Sequence, residues 1–156
     1  MPSLNVVLFQ PEIPQNTGNI ARTCAAVGAA LHLIRPLGFF LRDRHLKRAG
    51  LDYWNKVDIK LYDSLEDFFE TFPGGSFAFI TKFGGKTYEK IPCSGDLFLI
   101  FGRETEGLPS AVREEYRDQC YRIPMKEEAR SLNLANSVAI VVYEALRRRG
   151  FGDLSK

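Results

Sequence analysis

A chain of 156 residues, 45% hydrophobic and 26% charged, is the size of one domain and buries a sizeable core, so neither a linker nor a second domain is expected. The net charge of +2 is too small to advertise nucleic acid through bulk electrostatics, so any such function has to rest on local clusters. Cys24, Cys93 and Cys120 are odd in number and far apart, which speaks against a disulfide framework or a zinc site; with no apolar run of membrane-spanning length and no leader-like start at Met1 to Leu4, a cytoplasmic protein with no membrane partner is expected.

Residues 5–9 are a continuous apolar run closed by Pro11 and predict a buried strand. Residues 11–19, with Pro11 and Pro14, predict a rigid turn; the small residues 20–27 predict a helix capped by Asn16 or Thr17 and broken by Gly28. Residues 31–34 predict a second strand, in which His32 has no metal partner near it in sequence. Residues 42–49 predict a short basic helix closed by Gly50, with Arg44, Lys47 and Arg48 on one face and Arg42 beside them. A strand over 59–62 follows, then Asp63 with Glu66 three residues on reads as a capping box for a helix through Phe72, ended by Pro73-Gly74-Gly75. Residues 77–81 and 97–101 are again solid apolar strands, joined by a glycine-containing loop over 82–95, and 119–123 predict the last strand.

From 133 to 149, Leu134, Val138, Val141, Val142 and Ala145 recur at helical spacing, and Ala135, Ala139 and Leu146 widen the stripe. A helix apolar over so much of its girth has to pack on its own sheet and on something else, and a second subunit is the economical candidate. Its C-terminal run Arg147-Arg148-Arg149 is a second basic cluster.

Strands that read as apolar runs and alternate with helices indicate an α/β fold with a mainly parallel sheet flanked by helices. Ligands in such sheets sit beyond the carboxyl ends of the strands. Four polar or glycine-bearing loops follow strands here, over 11–19, 81–85, 102–107 and 124–133, and they can converge on one site. None carries a Walker A loop or a GxGxxG fingerprint, and with two histidines and no GxSxG a hydrolase triad is disfavoured. What remains is a set of amides, hydroxyls, one carboxylate and one arginine: Asn16, Asn19, Arg22, Glu104, Ser131 and Asn133. A helix puts Asn19 and Arg22 on one face. The set suits positioning and charge stabilisation rather than covalent catalysis. Ser131 and Asn133 equally serve as caps of the last helix, and residues 102–109 as a structural turn.

Three strings together resemble the SPOUT superfamily of RNA methyltransferases, in its SpoU-type branch: PEIPQNTGNIARTC at 11–24, LIFGRETEGL at 99–108, and the stretch from Ile123-Pro124-Met125 through Ser131-Leu132-Asn133 to Glu144. With no separate RNA-binding domain, and with RAGLDYW at 48–54, the chain is most similar to the branch's enzymes for the wobble nucleotide of tRNA. The resemblance implies one SPOUT domain over residues 1–156 with a C-terminal deep trefoil knot, and a homodimer through the knot and last helix. It implies S-adenosylmethionine as donor, S-adenosylhomocysteine as product and no metal, with the donor held by Phe79, Thr81, Gly102, Ile123, Met125, Ser131 and Leu132. The acceptor it implies is the ribose 2′-hydroxyl of cytidine or uridine 34 in the tRNA anticodon stem-loop. Arg22, Asn19, Glu104 and Asn133 are the catalytic candidates; Asn16, Arg42, Arg44, Lys47, Arg48 and Tyr143 are the substrate-binding ones. Another tRNA or rRNA site, or a module that binds donor or RNA without turnover, are the alternatives.

Overall fold

Every residue of β1 (Leu4–Phe9) is buried, as a solid apolar run requires when both faces of a sheet are covered. The computed structural model describes residues 2–42, 44, 48 and 54–155. Around β1 stand β2 (Ala30–Ile34), β3 (Ile59–Tyr62), β4 (Ser76–Ile80), β5 (Lys86–Thr87), β6 (Leu97–Phe101) and β7 (Cys120–Arg122). Their order in the sheet is β3-β2-β1-β6-β4-β7-β5, and every pairing between these strands is parallel.

Alternation along the strands divides the core in two. Val6, Leu8, Leu31, Leu33, Leu99 and Phe101 share one cluster with Ile20, Ala21 and Cys24 of α1 (Pro14–Val27) and with Val138, Val141 and Val142 of the C-terminal helix, Leu134–Arg148. Val7, Phe9, Phe79, Phe98 and Ile100 share the other with Leu65 and Phe68 of α2 (Leu65–Thr71), and Val112 of α3 (Ser110–Glu115) packs on it. The C-terminal helix is therefore α4. Burying one such large side chain stabilises the fold by about 1.5–3 kcal/mol, so the two layers dominate its energetics.

Three local expectations are corrected. Helix α1 starts at Pro14, not after residue 19, and its cap Ile13 makes no side-chain hydrogen bond. Proline's missing N–H costs nothing in a first turn, and its fixed φ favours one, so the second proline begins the helix, and Asn16 and Thr17 lie buried inside it. Helix α2 is capped by Ser64, whose side chain accepts from Asp67 N at 3.1 Å; the capping register is one residue later than Asp63 and Glu66, and Asp63 pairs with Arg35 at 3.1 Å instead. The loop over 82–95 holds β5 and a 3-10 turn, Tyr88–Lys90, both too short to leave a periodic trace, and α3 was likewise not anticipated. Lys47 and most of the expected basic helix lie outside the described residues, while Arg44 and Arg48 have helical backbone and are exposed.

Two features of the topology position the site. After β1 the chain turns to β2 on one side, and after β6 it travels to β7 on the other, so the strand order reverses between β1 and β6. Such a reversal opens a crevice at the carboxyl ends. Strand β7 also lies between β4 and β5, so the short connection 81–85 passes across it. Gly84 shows how closely: a Cβ there would sit 2.4 Å from the Tyr121 carbonyl carbon.

Candidate active site

At the crevice two loops lock each other through a pair of carboxylates. Glu104, in the loop after β6, accepts from Glu12 N at 2.9 Å and Ile13 N at 2.8 Å, ahead of α1, and from Asn16 Nδ2 at 3.3 Å. Glu12, in the loop after β1, accepts in return from Thr105 N at 3.0 Å and Thr105 Oγ1 at 2.8 Å. The backbone bond from Thr105, then its hydroxyl, hold the Glu12 carboxyl below the usual range. A carboxylate ahead of a helix start also meets the positive end of its dipole.

The fourth loop joins through Asn133. Its Nδ2 donates to Asn16 Oδ1 at 3.0 Å, and its Oδ1 accepts from Asn136 N at 3.2 Å, which caps α4. One amide thus serves both as a cap and as a tie to the site. Asn16, Glu104 and Asn133 are brought together as a chain of hydrogen bonds. Asn19 and Arg22 lie on the exposed face of α1, with Arg22 about 9 Å further along the axis than Asn16.

The backbone at this end is prepared for close approach. Gly102 has no room for a side chain, since its Cβ would fall 2.2 Å from the Gly107 carbonyl carbon. Gly107, at φ 67, closes the antiparallel bridge to Arg103. Gln10, just beyond β1, also holds a left-handed φ of 47, and non-glycine residues in that region concentrate at functional sites. From Met125 to Leu132, Ala129 N to Lys126 O is the one backbone–backbone hydrogen bond among the described residues, which leaves the remaining peptide groups to other partners. Met125 is half-buried, Ser131 is exposed, and Leu132 is 38% exposed. Phe79 is buried against Tyr116 in the second core layer, so its backbone, not its ring, can face a ligand; Ile123 packs on the first layer. Thr81 N donates to Tyr121 O at 2.9 Å.

The expected substrate side is spread more widely. Arg42, Arg44 and Arg48 are exposed, and Tyr143 is 47% exposed on α4. The loop leading to Arg42 is pinned to the same crevice, since Gly38 N donates to Pro11 O at 2.9 Å. The run 147–149 is differently engaged. Arg147 pairs with Glu144 at 2.8 Å, Arg148 donates to the carbonyls of Glu89 and Ile91, and Arg149 donates to Cys93 O at 2.7 Å and Gly95 O at 2.5 Å. It latches α4 to the segment before β6.

Sequence reasoning missed Glu12 and Thr105, although both stand inside the strings at 11–24 and 99–108, where a carboxylate in each loop hints at reciprocity. Arg103 was missed as well: its guanidinium lies 5.8 Å from the Phe9 ring centroid and 2.8 Å from Glu106, and its buried Nε has no partner among the described residues. Burial raises all three thiols, Cys24 to about 12, which disfavours a cysteine nucleophile. Among the described residues no group of His, Cys, Asp and Glu could hold a metal, and no helix is long and apolar enough to cross a membrane. A cavity of about 760 Å³ opens at the opposite, amino-terminal edge of the sheet, lined by Ser3, Asn5, His32 and Asp96 among others.

A parallel sheet whose strand order reverses over a cluster of amides and carboxylates, with glycines at its rim, defines an α/β protein with a ligand crevice at the carboxyl ends of its strands. The chain belongs to the SpoU rRNA Methylase family, whose profile matches residues 3–143. It is 58% identical over 156 residues to a Geobacillus stearothermophilus protein named "Putative tRNA (cytidine(34)-2′-O)-methyltransferase", covering 98% of this chain and 99% of that one. A solved structure concerned with the 2-OH methylation of C/U34 on tRNA superimposes with a TM-score of 0.91 at 46% identity, covering 96% of this chain and 98% of that one. An AdoMet-bound rRNA methyltransferase from Sinorhizobium meliloti gives a TM-score of 0.83 at 28% identity, covering 94% of this chain and 56% of that one.

Proposed function

We propose that this protein transfers a methyl group from S-adenosylmethionine to the ribose 2′-hydroxyl of cytidine or uridine 34, the wobble nucleotide of tRNA. The observation that carries the reading is near full-length identity of 58% to a relative named for 2′-O-methylation of tRNA cytidine 34, in a chain whose strand-end loops bring Asn16, Glu104 and Asn133 together. We read residues 1–156 as a single catalytic domain.

The residues present fit the donor. Gly102, the backbone of Phe79 and Thr81, and the peptide groups of Ile123, Met125, Ser131 and Leu132 form a rim of hydrogen-bonding backbone with two apolar side chains, Met125 and Leu132, suited to a nucleoside. When bound, the donor supplies an electrophilic methyl group on a sulfonium. The crossing of residues 81–85 over β7, with Gly84 against Tyr121, supports a chain threaded through its own loop, the trefoil knot of this superfamily.

The chain's own residues position and stabilise. A guanidinium keeps its proton in proteins, so Arg22 acts as a fixed positive charge for the oxygen that becomes anionic as the 2′-hydroxyl gives its proton to solvent water. Glu104 already accepts from two backbone N–H groups and one side-chain amide, so it serves as a scaffold rather than a base. Asn16 and Asn133 hold that scaffold to α4, and Asn19 shares the exposed face of Arg22 to orient the ribose. Arg42, Arg44, Lys47, Arg48 and Tyr143 are assigned to the anticodon stem-loop.

The test is incubation with labelled donor and a tRNA pool lacking the modification, then nuclease digestion and mass spectrometry. A 2′-O-methyl group at position 34 is expected. A methyl group elsewhere moves the protein to another substrate, and binding without transfer makes it a binding module.

A further inference from the structure

Phe83 is 61% exposed at the carboxyl end of the sheet, and its surroundings separate it from an apolar residue left on the surface by chance. The loop that carries it is fastened at several points. Phe83 N donates to Thr81 Oγ1 at 3.2 Å, Gly84 N to Thr81 O at 3.1 Å, and Arg122 Nη1 to Gly84 O at 2.9 Å. Gly84 has no space for a side chain against Tyr121 and Arg122. The ring is therefore presented on backbone that is held in place.

Two cations attend it. The Arg113 guanidinium carbon stands 4.1 Å from the ring centroid, with Arg113 Nε directed to Leu108 O at 3.4 Å, and Lys82 Nζ stands 5.2 Å from the same centroid. Lys86 lies two residues beyond Gly84 with its ammonium 5.9 Å from the Tyr121 ring. A guanidinium on a ring polarises it, and with most of the residue still exposed the ring retains area for another flat partner. An aromatic plane with cations at its border is the surface on which unpaired bases stack while phosphates meet positive charge. The neighbouring Thr81 belongs to the rim assigned above to the donor.

We infer that Phe83, backed by Arg113 and bordered by Lys82, is a stacking platform for an unpaired base of the RNA substrate, positioning the target nucleotide beside the donor. This rests on the RNA-methylating reading above. Phe83 is a positioning residue and takes no part in the bond changes.

The experiment measures binding of an anticodon stem-loop RNA to the wild-type protein and to Phe83→Ala, Phe83→Leu and Phe83→Trp, with thermal shift by S-adenosylhomocysteine alongside. Stacking losses of the usual size predict that Ala and Leu each weaken RNA affinity ~10-fold. Trp restores it, and the shift by S-adenosylhomocysteine is the same in all four proteins. RNA affinity unchanged in Ala, Leu binding as well as Phe, or donor binding falling in parallel each overturns the platform. A wild-type protein that methylates the RNA while Phe83→Ala performs equally well removes this inference alone. A wild-type protein that neither binds nor methylates it removes the functional reading and the platform together.

Discussion

At the scale of single residues the site separates groups that hold from groups that act. Arg22 stands on the exposed face of α1, three residues on from Asn19, and its charge is needed in the transition state rather than for holding the donor. Arg22→Ala should lower kcat by about 10²–10³, the usual cost of losing a fixed electrostatic stabiliser, with donor affinity nearly unchanged; titration with S-adenosylhomocysteine beside single-turnover kinetics checks both halves. His32 makes a different kind of prediction. Asn5 Oδ1, 3.0 Å from Nε2, can only accept, so Nε2 carries the proton and Nδ1 accepts from the Tyr62 hydroxyl at 2.8 Å. Burial, aided by the Lys60 ammonium, lowers its pKa to about 4. The unfolded chain binds this proton near the ordinary value of about 6.5 and the folded chain does not. The stability contribution is therefore whole above pH 6.5 and is lost as pH falls towards 4, reaching about 3 kcal/mol. In denaturant titrations over that window, His32→Gln should show a flatter pH dependence than wild type; identical slopes would refute the assignment.

At the scale of elements, what the sequence made legible follows from the range of the forces involved. Solid apolar runs announced β1, β2, β4 and β6 because burial on both faces leaves a mark in every residue. Strand β5 and helix α3 left none, since two and six residues are too few to show a period. The convergence of loops was legible as polarity after strands, but not the pairing of Glu12 with Thr105 and of Glu104 with the α1 start, which spans about ninety positions of sequence and exists only once β1 and β6 are neighbours. Capping register is decided by one rotamer, so Ser64 and Asp63 could not be told apart by pattern. Ser64→Ala should cost about 1 kcal/mol, a fall in Tm of about 2–4 °C in a chain of this size, whereas Asp63→Ala, which removes an exposed ion pair with Arg35, should cost less than about 1 kcal/mol. Calorimetry on the two variants decides between the registers. Gly102→Ala should lower donor affinity by displacing the Gly107 backbone, measured as a reduced thermal shift with S-adenosylhomocysteine.

At the scale of the whole molecule α4 has more apolar surface than its own sheet covers. Val138, Val141, Val142, Ala145 and Leu146 are buried against the sheet, and α1 packs alongside. Part of the outer face is still apolar: Ala139 and Ile140 are half-buried, and Tyr143 is 47% exposed, with Leu132 at 38% just before the helix start. A strip of this kind beside polar residues marks an association surface, and a second copy of the chain is the proposed occupant, since self-complementary two-fold contacts are the commonest way to cover one. The exposed face of α1, with Asn19 and Arg22, belongs to the same side of the sheet, so assembly and catalysis should fail together. Sedimentation should give twice the mass of the chain, with a Tm that rises with protein concentration, as association linked to folding requires. Ile140→Asp places a charge in the strip and should shift the protein towards monomer, with methyl transfer falling in step and the fold by circular dichroism retained. A wild-type protein that sediments as a monomer at all concentrations while methylating tRNA would refute a second copy as the occupant of the strip.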